Sequence, residues 1–314
     1  MTMKQRWIEL IRAEYLDGYI SEGGSALKII VSSDSSAQAH LAATLTSASN
    51  SAGLLPILLD ARSTKLHFVH LLFNEMARQI DWTQLARAFL TRCFERLGAS
   101  APFHFPTNLN VLAQSLGTTR SAIADDLMTL LRLDLVDDHS MSHEFKAAFL
   151  TLCLGQIQQS DGLASPHASV VARWLRGEPV SLPELKAAGL FQRVARHNAR
   201  YLLVSLAHMI RMCGHSGLLL SLDISRYLES VRPSARLDGH YYSPAAVVDL
   251  YEMLRQLIDE QGILEGVFTV VWAPLALISD PGRGLDRYQA LKMRVFDDVR
   301  ARSHPNLLAP LVRL

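Results

Sequence analysis

The run Leu218-Leu219-Leu220-Ser221-Leu222-Asp223 constrains this chain more than any other stretch. Apolar or small residues follow one another without a polar face, and the run is too short for an ordinary helix. It reads as a strand buried on both faces, the condition of a strand in a parallel sheet with helices on each side. Helical spacing precedes it over residues 191–212, followed by the turn Cys213-Gly214-His215-Ser216-Gly217. Three other short runs have the same character: residues 27–31, 54–60 and 266–273. With helical patterns between them, they predict an α/β chain. The acid that closes the run, Asp223, falls at the carboxyl end of its strand, where open α/β sheets bind their ligands.

Length and composition bound the alternatives. The 314 residues suffice for one large α/β domain or two modest ones. Apolar residues make up 49% and charged residues 19%, which favours a sizeable core and excludes global disorder. With 31 basic and 30 acidic side chains, the net charge is +1, so no bulk basicity points to nucleic acid. Cys93, Cys153 and Cys213 show no paired-ligand spacing and lie in apolar helical patterns. They are expected to be buried free thiols, as suits a reducing cytoplasm. Residues 1–16 are amphipathic and carry Glu9 and Glu14, unlike a secretory leader. No run approaches 18 apolar residues, so no membrane-spanning helix is expected.

Residues 27–60 read as strand, loop, helix and strand, a βαβ unit. The loop is placed at 32–39 (SSDSSAQA), with the helix beginning near His40 and running to about Ser51. This is where a P-loop would lie. Such a loop needs glycines so that its amides can curl around phosphates, a lysine for the β- and γ-phosphates, and a hydroxyl for Mg²⁺. Here Ser32 and Ala37 stand at the glycine positions, Gln38 at the lysine and Ala39 at the hydroxyl. Asp34 adds a negative charge that would repel a triphosphate. Asp223 suits the Walker B acid, but Ile224 follows it where a water-polarising glutamate often stands. The expectation is a strand-to-helix turn with no catalytic residue, no metal site and no bound nucleotide. A divergent active ATPase holding ATP and Mg²⁺ through Asp223 is the open alternative.

Residues 66–97 have helical spacing, with Asp81 placed to cap the second of two helices. Residues 101–106 break the pattern, and two shorter helices follow at 107–116 and 119–131. The stretch 108–131 has the shape of a helix-turn-helix, with Gly117 in the turn and Ile123 and Leu127 facing inward. Its second helix offers Arg120 but also Asp125 and Asp126, a poor complement to DNA. Another helix is expected at 141–159, a linker at 161–166, a helix at 167–176, a polar loop at 233–238, a helix at 244–260 and a terminal helix at 288–302. The domains are therefore drawn as 1–65 (amino-terminal helix and first part of the α/β core), 66–190 (helical insertion) and 191–314 (second part of the core).

Several segments together resemble a known family. They are Ala172-Arg173-Trp174-Leu175-Arg176-Gly177-Glu178, then Asn198-Ala199-Arg200-Tyr201-Leu202 through Gly214 to Asp223, then the stretch 284–294 (GLDRYQALKMR). Leu66-His67-Phe68 and its following helix also fit. The chain is similar to the P-loop ATP-binding proteins, AAA+-related, of BREX-type anti-phage defence systems. The resemblance implies an α/β P-loop fold interrupted by a large all-helical insertion. It places the family's Walker A positions on Ser32, Ser35, Ala37, Gln38 and Ala39, and the Walker B acid on Asp223. A sensor-type polar residue would fall near Trp272, Ala273 and Pro274. Arg283, Arg287 and Arg294 become candidates for contacts across a subunit interface. A pseudo-ATPase subunit follows, structural or regulatory, partnered by an active ATPase, helicase or nuclease of the same defence system. The alternative is a DNA-binding adaptor using residues 111–131 and the basic carboxyl-terminal end.

Overall fold

The computed structural model describes residues 2–99, 109–160, 162, 163, 165–231, 239–296 and 306–314. Five strands, β1 (Ala26–Ser32), β2 (Leu54–Asp60), β3 (Gly217–Asp223), β4 (Val267–Pro274) and β5 (Leu311–Arg313), form one parallel sheet in the order β2-β3-β4-β1-β5. Thirteen helices among the described residues are numbered in chain order. α1 (Met3–Ile11) and α2 (Ser35–Ser51) precede β2, and α3 (Val69–Gln79) follows it. Then come α4 (Trp82–Arg96), α5 (Leu109–Ser115), α6 (Arg120–Leu131), α7 (His143–Ser160), α8 (Pro166–Leu175), α9 (Leu182–Ala187) and α10 (Ala199–Met212). The last three are α11 (Pro244–Asp259), α12 (Ala276–Ser279) and α13 (Gln289–Val295).

The chain divides into two compact units, one formed by Met1–Met76 with His215–Leu314 and the other by Ala77–Gly214. The first holds the sheet. Every residue of β1 is buried and so is nearly all of β3 and β4, which is why their sequences are mostly apolar, with Lys28, Ser32, Ser221 and Thr269 as buried polar exceptions. β2 lies at an edge, where exposed and buried positions mix and Pro56 is tolerated. Trp7 and Ile11 of α1, with Leu41 and Leu45 of α2, pack on Ile30, Phe268, Val270 and Trp272. Trp7 meets Trp272 edge-on, with ring centroids 6.3 Å apart.

The second unit is helical. Phe89 meets Phe149 edge-on at 5.6 Å, Trp82 meets Phe145 at 6.3 Å, and the Trp82 indole donates to the Ala77 carbonyl at 2.8 Å. Cys93, Cys153 and Cys213 are buried free thiols, as expected, and burial raises the pKa of each. Asp81 caps α4 by accepting from Gln84 N at 3.0 Å. α5 and α6 form the anticipated two-helix unit. Gly117 turns between them at φ +65°, Thr119 caps α6 through Ala122 N, and Ile123 and Leu127 are buried. Asp125 and Asp126 are exposed.

Four sequence expectations need correction. The helix placed from His40 begins at Ser35, because Asp34 caps it five residues earlier. The helix placed from residue 191 begins at Ala199, because the Asn198 side chain ties its own upstream backbone into a turn. Its carbonyl accepts from Ala195 N at 2.8 Å and its amide donates to Arg193 O at 2.9 Å. The terminal helix is confined to Gln289–Val295 among the described residues, and 297–302 lie outside them. A fifth strand, β5, was not anticipated, since three residues are too few to show a period. The polar loop at 233–238 and the break at 101–106 also lie outside the described residues.

Candidate functional site

The carboxyl edge of the sheet gathers the positions singled out by sequence. In the strand register Ser32 of β1 pairs with Pro274 of β4, Trp272 with Asp223 of β3, and Asp223 with Asp60 of β2. The chain leaves β1 toward the β2 side and leaves β4 for β5 in the opposite sense, so these neighbours diverge at a topological switch point. A ligand of an open α/β sheet would be sought here.

The turn after β1 is closed by its own side chains. Only Ser33 and Asp34 separate β1 from α2, so Ser35, Ala37, Gln38 and Ala39 are helical rather than parts of an eight-residue loop. The Asp34 carboxylate accepts from Ser36 N at 2.9 Å and Ala37 N at 3.1 Å, while its carbonyl accepts from Gln38 N at 3.0 Å. A helix start binds anions through amides that lack partners. At α2 a carboxylate already fills that position. Ser32 is buried, and its hydroxyl donates to Asp34 O at 3.2 Å and accepts from Asp34 N at 3.3 Å. Gln38 turns into the core and is buried, whereas Ser35 and Ala39 are exposed.

The ends of β2 and β3 carry two neighbouring acids, each engaged with its own loop. Asp223 Oδ1 accepts from Ser225 N at 2.9 Å, and Asp60 Oδ1 accepts from Arg62 N at 2.7 Å. Ile224 is fully buried, and its amide donates to Trp272 O at 3.0 Å. An acid at this position would face core, not a bound water. Trp272 is core as well, donating from its indole to Ser221 Oγ at 2.8 Å. No group of three His, Cys, Asp or Glu side chains among the described residues is arranged to hold a metal ion.

Beyond β2 and β3 lies an aromatic cluster that no local sequence pattern announces. Tyr227 and Tyr242 stack with ring centroids 3.7 Å apart, and His67 stands edge-on to both. Tyr227 Oη lies 2.7 Å from His67 Nδ1 and accepts from His67 N at 3.1 Å. Burial, and next the neighbouring Tyr242 hydroxyl, push the Tyr227 hydroxyl above its ordinary range, so it stays protonated beside Nδ1. The single Tyr242 Oη proton is shared between the carbonyls of Ala61 at 2.6 Å and Thr64 at 2.9 Å, tying down the loop after β2. The two tyrosines lie 160 or more positions from His67 and from the loop after β2, which hides the cluster from sequence. The one signal available was the Leu66-His67-Phe68 run.

The three arginines have different settings. Arg283 is 5% exposed and donates from Nη1 to Tyr227 O at 2.8 Å and Tyr242 O at 2.9 Å, so it braces the cluster from within. In this structure it is not presented to a neighbouring subunit, because both carbonyls hold it inside. Gly284 beside it is required by close approach: a Cβ there would lie 2.4 Å from Asp280 O and 2.8 Å from Leu277 O. Arg294 makes a two-pronged pair with Asp259, at 2.6 and 2.9 Å, which joins α13 to α11. The same network holds Arg255 against Glu252 and Asp259, and Tyr288 against Glu252. Hydrogen bonding from Arg255, foremost, holds the Glu252 carboxyl down at about 2. Arg287 is exposed, and no ion pair engages it among the described residues.

Among the described residues, this edge orders its own loops, and at the start of α2 the amides of Ser36 and Ala37 are taken up by Asp34. The comparisons with known proteins bear on what such an edge is for. A family model described as BREX system ATP-binding protein BrxC/D matches residues 110–314. That span includes the second unit from α5 onward, β3, β4 and the three arginines; β1, α2 and β2 precede it. No curated protein and no solved structure matches.

Proposed function

Because the chain belongs to the BREX ATP-binding family, we propose that it is a catalytically degenerate ATPase-fold subunit of a bacterial anti-phage defence complex. In this reading the sheet is a P-loop, AAA+-like core, and the helical insertion drawn at 66–190 corresponds to the helical unit Ala77–Gly214. The parallel order, the βαβ unit of β1, α2 and β2, and the acid at the end of β3 support that assignment. The subunit serves a structural or regulatory role beside an active ATPase, helicase or nuclease of the same system.

One observation carries the proposal: the Asp34 carboxylate occupies the α2 start that a phosphate would need. Residue chemistry agrees with it. Removing one charge-stabilising contact from a transition state commonly costs on the order of 3 kcal/mol. Here the lysine, the metal-binding hydroxyl and the acid after Asp223 are replaced together by Gln38, Ala39 and Ile224. Arg287 is the arginine best placed to serve a partner, since Arg283 and Arg294 are engaged within the chain.

The test is to purify the chain with the other proteins of its defence system and compare ATP turnover of that complex for wild type and Asp223→Ala. Equal turnover is expected, with complex formation intact. A turnover loss of tenfold or more in an intact complex would instead make this chain a working ATPase with a divergent loop.

A further inference from the structure

A second feature lies at the opposite, amino end of β1. Glu14, Tyr15, Tyr19, Lys28, Gln261 and Leu308 are among the residues lining a cleft of about 380 Å³. That is the size of a site for one small organic molecule. Lys28 is the third residue of a central strand and is 4% exposed, an unusual place for an amine. Its ammonium donates to the Leu308 carbonyl and sits 4.6 Å over the Tyr15 ring. No carboxylate of the described residues pairs with it, so part of its donor capacity is left over. The Tyr15 hydroxyl and the Gln261 carboxamide line the same cleft, and no described residue takes up their hydrogen bonds.

We propose that this cleft binds a small planar carboxylate, with Lys28 as its counter-ion. A buried ammonium held by one carbonyl and one ring, with no carboxylate of the described residues as counter-ion, is costly, and an incoming anion would reduce that cost. Burial already lowers the Lys28 amine to about 8, a shift that a bound anion would reverse. One cation balances one negative charge. A dianionic phosphate would bring a second charge into a cleft that Glu14 also lines. The Tyr15, Tyr19, Leu308 and Pro310 side chains suit a flat apolar body. This inference is independent of the nucleotide reading, since β1 meets the cleft at its other end.

Benzoate, with its neutral isostere benzamide, is the probe, titrated into the full chain and followed by ligand-observed NMR and calorimetry. Benzoate is expected to bind at least tenfold more tightly than benzamide. Lys28→Met should abolish that difference, and the rim change Glu14→Gln should tighten benzoate several-fold without touching the core. Equal binding of the two probes, no binding of benzoate up to 10 mM (about 3 kcal/mol), or unchanged benzoate binding in Lys28→Met would overturn the assignment.

Discussion

Arg283→Leu is expected to lower the unfolding free energy by about 3 kcal/mol, measured by urea denaturation. The leucine would fill part of the space, but two buried carbonyls, of Tyr227 and Tyr242, would each lose their donor. An unsatisfied buried acceptor costs about 1–3 kcal/mol. The guanidinium also reaches toward Tyr241 Oη at 3.5 Å, so one side chain ties the segment after β3 to the segment before α11. Arg283→Lys is expected to recover less than half of the loss, because one ammonium lacks the planar fork that serves both carbonyls. If Arg283 acted instead across a subunit interface, both variants would keep wild-type stability and fail only in the assembled complex.

Lys28→Met is expected to have the opposite sign, stabilising the chain at pH 7 by about 1–2 kcal/mol once the lost donor to the Leu308 carbonyl and the lost Tyr15 contact are set against the relieved charge burial. The native amine titrates at about 8 and the unfolded one near its ordinary 10.5. Below pH 8 both states carry the charge, and the native state bears the whole desolvation cost. Each unit of that difference is worth about 1.4 kcal/mol, which sets a ceiling of about 3 kcal/mol. Between pH 8 and 10.5 the unfolded state binds more protons, so wild-type stability rises with pH. Above 10.5 both amines are neutral and this cost has vanished. The advantage of Lys28→Met should therefore be full at pH 7 and shrink steadily from pH 8 upward. Chemical denaturation of both proteins at pH 7, 8 and 9 reads it directly; a constant difference would show that charge burial is not the cause.

The strands were legible because burial on both faces leaves little room for polar residues: the mostly apolar runs of β1, β3 and β4 record that burial. Caps close to their helices were legible too, as with Asp81 and Thr119. The β1–α2 junction was harder. An eight-residue template laid over 32–39 hid the simpler signal that Asp34, followed by a run of small residues, caps a helix at once. The role of Arg283 could not be read at all, because it bonds to backbone carbonyls 41 and 56 residues away rather than to any particular side chain. β5 and the Tyr227–Tyr242–His67 cluster share that difficulty. They depend on which loops the sheet order brings together, and sequence spacing does not carry sheet order.

The most direct measurement is calorimetry of ATP and ADP, with Mg²⁺ at millimolar nucleotide, against the purified chain. The account predicts no binding heat, because the α2 start is filled by Asp34 and no lysine faces it. Micromolar binding would contradict it, and would require the Asp34 cap to open and its amides to turn to phosphate.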